Sequence, residues 1–101
     1  MTTQMTTAIW LSLEYATASC YAAIHDGSAS DDTRRIYDLA CDSLRTEVVT
    51  DDHRDAVKQI ICDGLSMEQA ALKKLYDPCV AMRINKIRIY QQGLADLEAQ
   101  A

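Results

Sequence analysis

Residues 7–24, TAIWLSLEYATASCYAAI, place an apolar or small side chain on nearly every side of a helix, and this stretch limits what the rest of the chain can build. Ile9, Leu13, Ala16, Cys20, Ala23 and Ile24 recur at the three- and four-residue spacing of a core stripe. Leu11, Tyr15, Ala18 and Ala22 form a second stripe, with Trp10, Thr17 and Tyr21 between the two. A helix that is apolar all round is either central in its bundle or covered by another molecule. Thr6 or Thr7 can cap its start, and Gly27 after His25-Asp26 supplies the left-handed residue that ends it. Ser12, Glu14, Thr17 and Ser19 interrupt the run, which therefore falls short of the roughly 20 clean residues of a membrane span.

The segments that follow read as helices too. Residues 30–44 and 50–65 share a grammar: Ser30-Asp31-Asp32-Thr33-Arg34 and Thr50-Asp51-Asp52-His53-Arg54 open them, and Cys41-Asp42-Ser43-Leu44 and Cys62-Asp63-Gly64-Leu65 close them. Ser30 and Thr50 are predicted caps, and the paired aspartates meet the positive end of each helix dipole. Ile36, Leu39, Ala40 and Leu44 supply the core stripe of the second helix, and Val57, Ile60, Ile61 and Leu65 that of the third. Asp63-Gly64 reads as a stop, and Ser66-Met67-Glu68-Gln69 as a capping box opening a short fourth helix through Ala70, Ala71, Leu72 and Leu75 to Tyr76. Asp77 then caps and Pro78 takes the first position of a fifth helix, with Val80, Ile84, Ile87, Gln91, Leu94 and Leu97 or Glu98 inward and Gly93 a weak point. Val48-Val49-Thr50 is too short to build a sheet. The expectation is an all-α, single-domain bundle of four to five helices over residues 1–101, its long apolar N-terminal helix packed centrally, with residues 1–6 and 95–101 frayed.

Charge is spread unevenly. The net charge is -5, yet residues 30–65 hold nine acids against five bases, and residues 66–92 hold two acids against five bases. Such a balance opposes non-specific attraction to nucleic acid or anionic lipid and favours a basic partner. Asp31, Asp38 and Asp42 share one side of the second helix, and Asp51 and Asp55 share one side of the third. With Asp32 and Asp52 they can form a carboxylate surface that fits a basic groove on another protein.

Little in the chain is equipped for catalysis. His25 and His53 read as solvated surface residues, and there is no Gly-rich phosphate loop, no HExxH and no close Cys/His pair. Asp31-Asp32 and Asp51-Asp52 are adjacent in sequence and already have a capping role, so no metal site and no cofactor is expected. Cys20, Cys41, Cys62 and Cys79 match no zinc spacing, and no secretory signal precedes them, so they are predicted to be buried free thiols of a cytoplasmic protein.

Gly64-Leu65-Ser66-Met67-Glu68-Gln69-Ala70-Ala71, followed by a turn and then Val80, Ile84 and Arg88, resembles the helix-turn-helix of region 4 of sigma factors and related regulators. There a GLS-x-E-x-x-A helix precedes a basic recognition helix; the resemblance covers residues 64–90 and implies that Arg83, Lys86 and Arg88 meet nucleic acid. In class the chain also resembles small acidic helical inhibitors encoded by phages against host defence, anti-CRISPR proteins among them, and toxin immunity proteins. The leading expectation is a non-enzymatic protein-binding module of that kind, using Asp31, Asp32, Asp38, Asp42, Asp51, Asp52 and Asp55. A DNA-binding regulator and a structural homo-oligomer are the alternatives, the oligomer or a partner meeting Trp10, Leu11 and Tyr15 near the start of the first helix.

Overall fold

The computed structural model describes residues 2–74 and 76–100. Four helices pack as an all-α bundle: α1 (Thr7–His25), α2 (Asp31–Thr46), α3 (Asp51–Leu72) and α4 (Val80–Ala99). α1 and α3 each pack against every other helix, with α2 and α4 on their two flanks, in a slab of 44 × 33 × 17 Å. Ile9, Leu13, Ala16, Ile36, Ala40, Val57, Ile60, Ile61, Tyr90 and Leu97 form one buried cluster. Each large aliphatic side chain buried there is worth about 1.5 to 3 kcal/mol.

The caps come out as the local chemistry dictates in two cases and not in a third. Thr6 Oγ1 accepts from the Ile9 N–H at 3.2 Å and Ser30 Oγ from the Thr33 N–H at 3.1 Å. Thr50 makes no such bond; its hydroxyl lies 2.8 Å from His53 Nδ1 instead.

The fivefold division of the chain gives way to four helices. α3 runs unbroken through Asp63, Gly64 and Ser66 to Leu72, so neither the stop nor the capping box is used, and the part of the expected fourth helix at Leu75 lies outside the described residues. Gly64 is explained by approach rather than by termination: a Cβ there would stand 2.9 Å from the Cζ and hydroxyl of Tyr90 on α4. Gly93 has the same role against α1, where a Cβ would stand 2.4 Å from Ser12 Oγ and 3.1 Å from the Ala8 carbonyl oxygen. It is therefore a crossing point of two helices and not a weak point, and Ser12 Oγ donates across it to the Ile89 carbonyl at 3.1 Å. These contacts also turn α4 away from the expected stripe: Tyr90 and Gly93 face inward beside Ile87 and Leu97, while Val80, Ile84 and Gln91 are exposed. α4 starts at Val80, with Pro78 outside it and Asp77 Oδ1 accepting from the Cys79 N–H at 3.0 Å.

α1 is less enclosed than its composition suggests. Ile9, Leu13 and Ala16 are buried, but Ala18 and Ala22 are exposed and Tyr21 keeps 53% of its surface open. Of the ends expected to fray, residues 2–6 and 95–100 are built into the fold; Met1 and Ala101 lie outside the described residues. β1 (Thr2–Gln4) pairs antiparallel with β2 (Val48–Thr50), Thr3 opposite Val49, so the short valine stretch does form a two-stranded ribbon. The Gln4 N–H donates to Gln100 Oε1 at 2.9 Å, Gln100 Nε2 donates back to the Gln4 carbonyl at 3.1 Å, and Leu97 is buried.

Candidate functional site

α2 and α3 run antiparallel, with Asp42 near the end of one beside His53 at the start of the other. α3 turns an acidic edge toward their common groove, because Asp52, Asp55, Gln59 and Asp63 recur at three- and four-residue spacing along it. The groove, about 420 Å³, is lined by Asp52, Asp55 and Asp63 from α3 and by Asp32 and Arg35 from α2. Asp32 is tied to Arg35 at 3.0 Å on an exposed surface, a pair worth little. Asp63 accepts from Gln59 Nε2 at 2.8 Å. Asp52 and Asp55 are exposed and enter no salt bridge with the described residues.

Of the seven acids singled out in the sequence, Asp32, Asp52 and Asp55 come together in this groove. Asp31 and Asp38 are exposed but are not among its lining residues, and Asp51 likewise stands at the α3 start. Asp42 is spent inside the fold, bonded to Arg45 and 2.9 Å from His53 Nε2. His53 is accordingly no solvated residue, since its side chain is only 20% exposed. Asp63-Gly64 reads locally as a helix end, which sets Asp63 apart from the acidic residues of α3; its spacing from Asp55 and Gln59 is the signal that it belongs to the same edge.

Next to the groove, where α1, α2 and α3 meet, lies a smaller and mainly apolar cavity of about 170 Å³ walled by Ala16, Cys20, Ile36, Ile60, Gly64 and Met67. Thr33, Ile36 and Asp63 line both spaces. Burial pushes the Cys20 thiol above its ordinary range, which makes it a poor nucleophile. Cys20, Cys41 and Cys62 are half-buried and Cys79 is exposed, so the thiols are not uniformly core residues. Among the described residues, no group of three or more His, Cys, Asp or Glu is disposed to hold a metal ion.

The N-terminal aromatic set divides. Trp10 and Leu11 line a shallow groove with Met5 and Glu47, and the Trp10 indole N–H donates to Glu14. Tyr15 points elsewhere, edge-on to Tyr90 with centroids 6.4 Å apart and with Lys86 Nζ 5.3 Å from its ring centre. Two of the three candidate nucleic-acid contacts are held by the fold. Arg83 Nε donates to Asp77 Oδ2 at 2.5 Å and Arg83 Nη1 to Glu68 Oε2 at 2.8 Å; Lys86 Nζ stands 4.0 Å from Glu68, while Arg88 is exposed.

These pairings set an acid limit to stability. The Cys79 N–H and then Arg83 hold the Asp77 carboxyl below its usual range, Arg45 holds Asp42 down, and Lys58 holds Glu98 down. A carboxyl lowered in the folded state contributes fully above its unfolded pKa of about 4, and that contribution is lost as pH falls through the folded value. The urea midpoint is therefore expected to stay level from pH 7 to about pH 5 and to fall below about pH 4. In Asp77→Asn the fall is expected to be shallower, and an identical profile would remove Asp77 from the account.

No helix among the described residues is long and apolar enough to cross a membrane. Comparison of the chain with protein-family models, with curated proteins and with solved structures finds no match.

Proposed function

We propose that the protein is a non-enzymatic binding module whose acidic α2–α3 edge occupies a basic surface of another protein, including surfaces that otherwise hold nucleic acid, as phage-encoded inhibitors of host defence and toxin immunity proteins do. The observation that carries this reading is the convergence of Asp32, Asp52, Asp55 and Asp63 from two helices on one open groove, with Arg35 the one basic side chain lining it. Charges so placed act on encounter rate and partner choice more than on fold stability, and salt screens them. The helix-turn-helix alternative finds less support, because α3 is continuous where that motif needs a short separate helix and because Glu68 and Asp77 engage Arg83.

The test is a triple variant, Asp52→Asn, Asp55→Asn and Asp63→Asn, with an unchanged circular dichroism spectrum as the control for folding. Proteins retained from a host extract by the unmodified chain are expected to elute at moderate salt and to be lost by at least tenfold on the triple variant. Retention that is indifferent to both salt and the three substitutions would remove the acidic edge from the function.

A further inference from the structure

The acidic groove and the apolar cavity adjoin as two parts of one recess. Asp63, Thr33 and Ile36 line both, so the Asp63 end of the groove borders walls of Ala16, Ile60, Gly64 and Met67. At about 170 Å³ the cavity is a little larger than the roughly 150 Å³ apolar cavities that accept a benzene ring. It lies where three helices meet and one of them is forced by a glycine: Gly64 lines it, and the Tyr90 hydroxyl is packed against that same glycine.

Resting on the acidic-edge reading above, we infer that the recess is a two-part receptor for a basic segment of a partner protein that carries one bulky apolar side chain. The cavity takes that side chain as an anchor, and the lysines or arginines flanking it lie along Asp52, Asp55 and Asp63. Charge complementarity fixes the sign of the occupant: the groove lining holds four carboxylates against Arg35, and Arg35 already faces Asp32. Volume fixes the anchor, because the cavity has room for one aromatic or leucine-sized group and no more. Interfaces draw most of their affinity from one or two such buried anchors, with the charged rim giving orientation and rate. A segment that is only basic satisfies half of the recess, and a segment that is only apolar must desolvate Asp63 without bringing a cation to it.

Two short synthetic peptides serve as probes, each of lysines and arginines around a single central residue, phenylalanine in one and alanine in the other. With the intact chain the phenylalanine peptide is expected to bind about tenfold more tightly. It is also expected to shift the methyl resonances of Ala16, Ile36 and Ile60. Ser19 is an exposed residue at the rim of the cavity, so Ser19→Phe closes the mouth from outside the core and is expected to bring the two peptides to the same affinity. Should that variant fail to fold, the methyl shifts on the unmodified protein still decide. Equal affinities and unmoved methyls on the unmodified protein, with both peptides lost on the triple Asp→Asn variant, overturn the anchor socket and leave the acidic edge standing. Binding of neither peptide overturns both. A dimer in light scattering that Ser19→Phe converts to a monomer assigns the recess to a second copy of the chain and overturns the inference as well.

Discussion

Gly93→Val is expected to cost about 3 kcal/mol of stability and to lower the melting temperature by about 15 °C. The position sits where α4 crosses α1, and the first added carbon already falls 2.4 Å from Ser12 Oγ and 3.1 Å from the backbone oxygen of Ala8. The serine has little room to turn aside, because it is fully buried and its hydroxyl holds the Ile89 carbonyl across the same crossing. The Ala8 oxygen cannot move without the helix. The two helices must part, and the packing of Leu13 and Tyr90 against the common core loosens with them. Gly93→Ala tests the cause: its helix propensity is better by about 1 kcal/mol, so any net loss is steric. Adding Ser12→Ala to that variant is expected to return part of the loss as a coupling between the two sites. Differential scanning calorimetry of these proteins and of Ser12→Ala alone measures it, and a Gly93→Val melting temperature equal to that of the unmodified chain would overturn the close-crossing account.

Arg54→Ala is expected to cost about 2 to 3 kcal/mol and to release the N-terminal strand first. Arg54 Nη1 donates to Thr3 Oγ1 at 2.8 Å and Nη2 donates to the Leu97 carbonyl, so one guanidinium joins β1 and the last turn of α4 to α3. Thr3 and Leu97 are both buried, and alanine leaves the hydroxyl and the carbonyl without this partner. Loss of a hydrogen bond to a charged group is worth more than a neutral one, which sets the size of the effect. Hydrogen exchange reads it locally: protection of the β1–β2 pairing is expected to fall to that of open chain while the α2–α3 amides keep theirs. Undiminished protection at Thr3 and Val49 would show that the ribbon holds without the arginine.

The helical class and most of the core stripes were legible in the sequence because they rest on local periodicity. Ile9, Leu13, Ala16, Ile36, Ala40, Val57, Ile60 and Ile61 are all buried where their spacing places them. What periodicity could not convey was long-range contact. Gly64 and Gly93 carry the local signal of a stop or a weak point, and only the partner helix, through Tyr90 or Ser12, gives them their role. The stop wrongly assigned at Gly64 propagated, since it cut α3 in two and hid Asp63 from the acidic edge. The valine ribbon escapes a local reading for the same reason: three residues form no sheet alone, and Val49 finds its partner Thr3 46 residues away. His53 looked solvated because its neighbours in sequence are polar, whereas its ring is fixed by Asp42 from the preceding helix. The acidic edge was half visible. Helical spacing put Asp31 with Asp38 and Asp42, and Asp51 with Asp55, whereas the groove takes Asp32 from α2 and Asp52, Asp55 and Asp63 from α3, because which aspartates face it depends on the pairing of α2 with α3.

The bonding of the ends to each other has a consequence for the order in which the molecule can be assembled during synthesis. Residues 2–4 leave the ribosome before α4 does, yet Gln4 meets Gln100, and the arginine beside Thr3 also donates to the Leu97 carbonyl. The β1–β2 pairing can form once residue 50 is out, but its lateral support cannot. This segment, made before α4, is thus fully locked only with it, and until translation reaches the final turn of α4 the nascent bundle holds β1 by the ribbon and the Arg54–Thr3 bond.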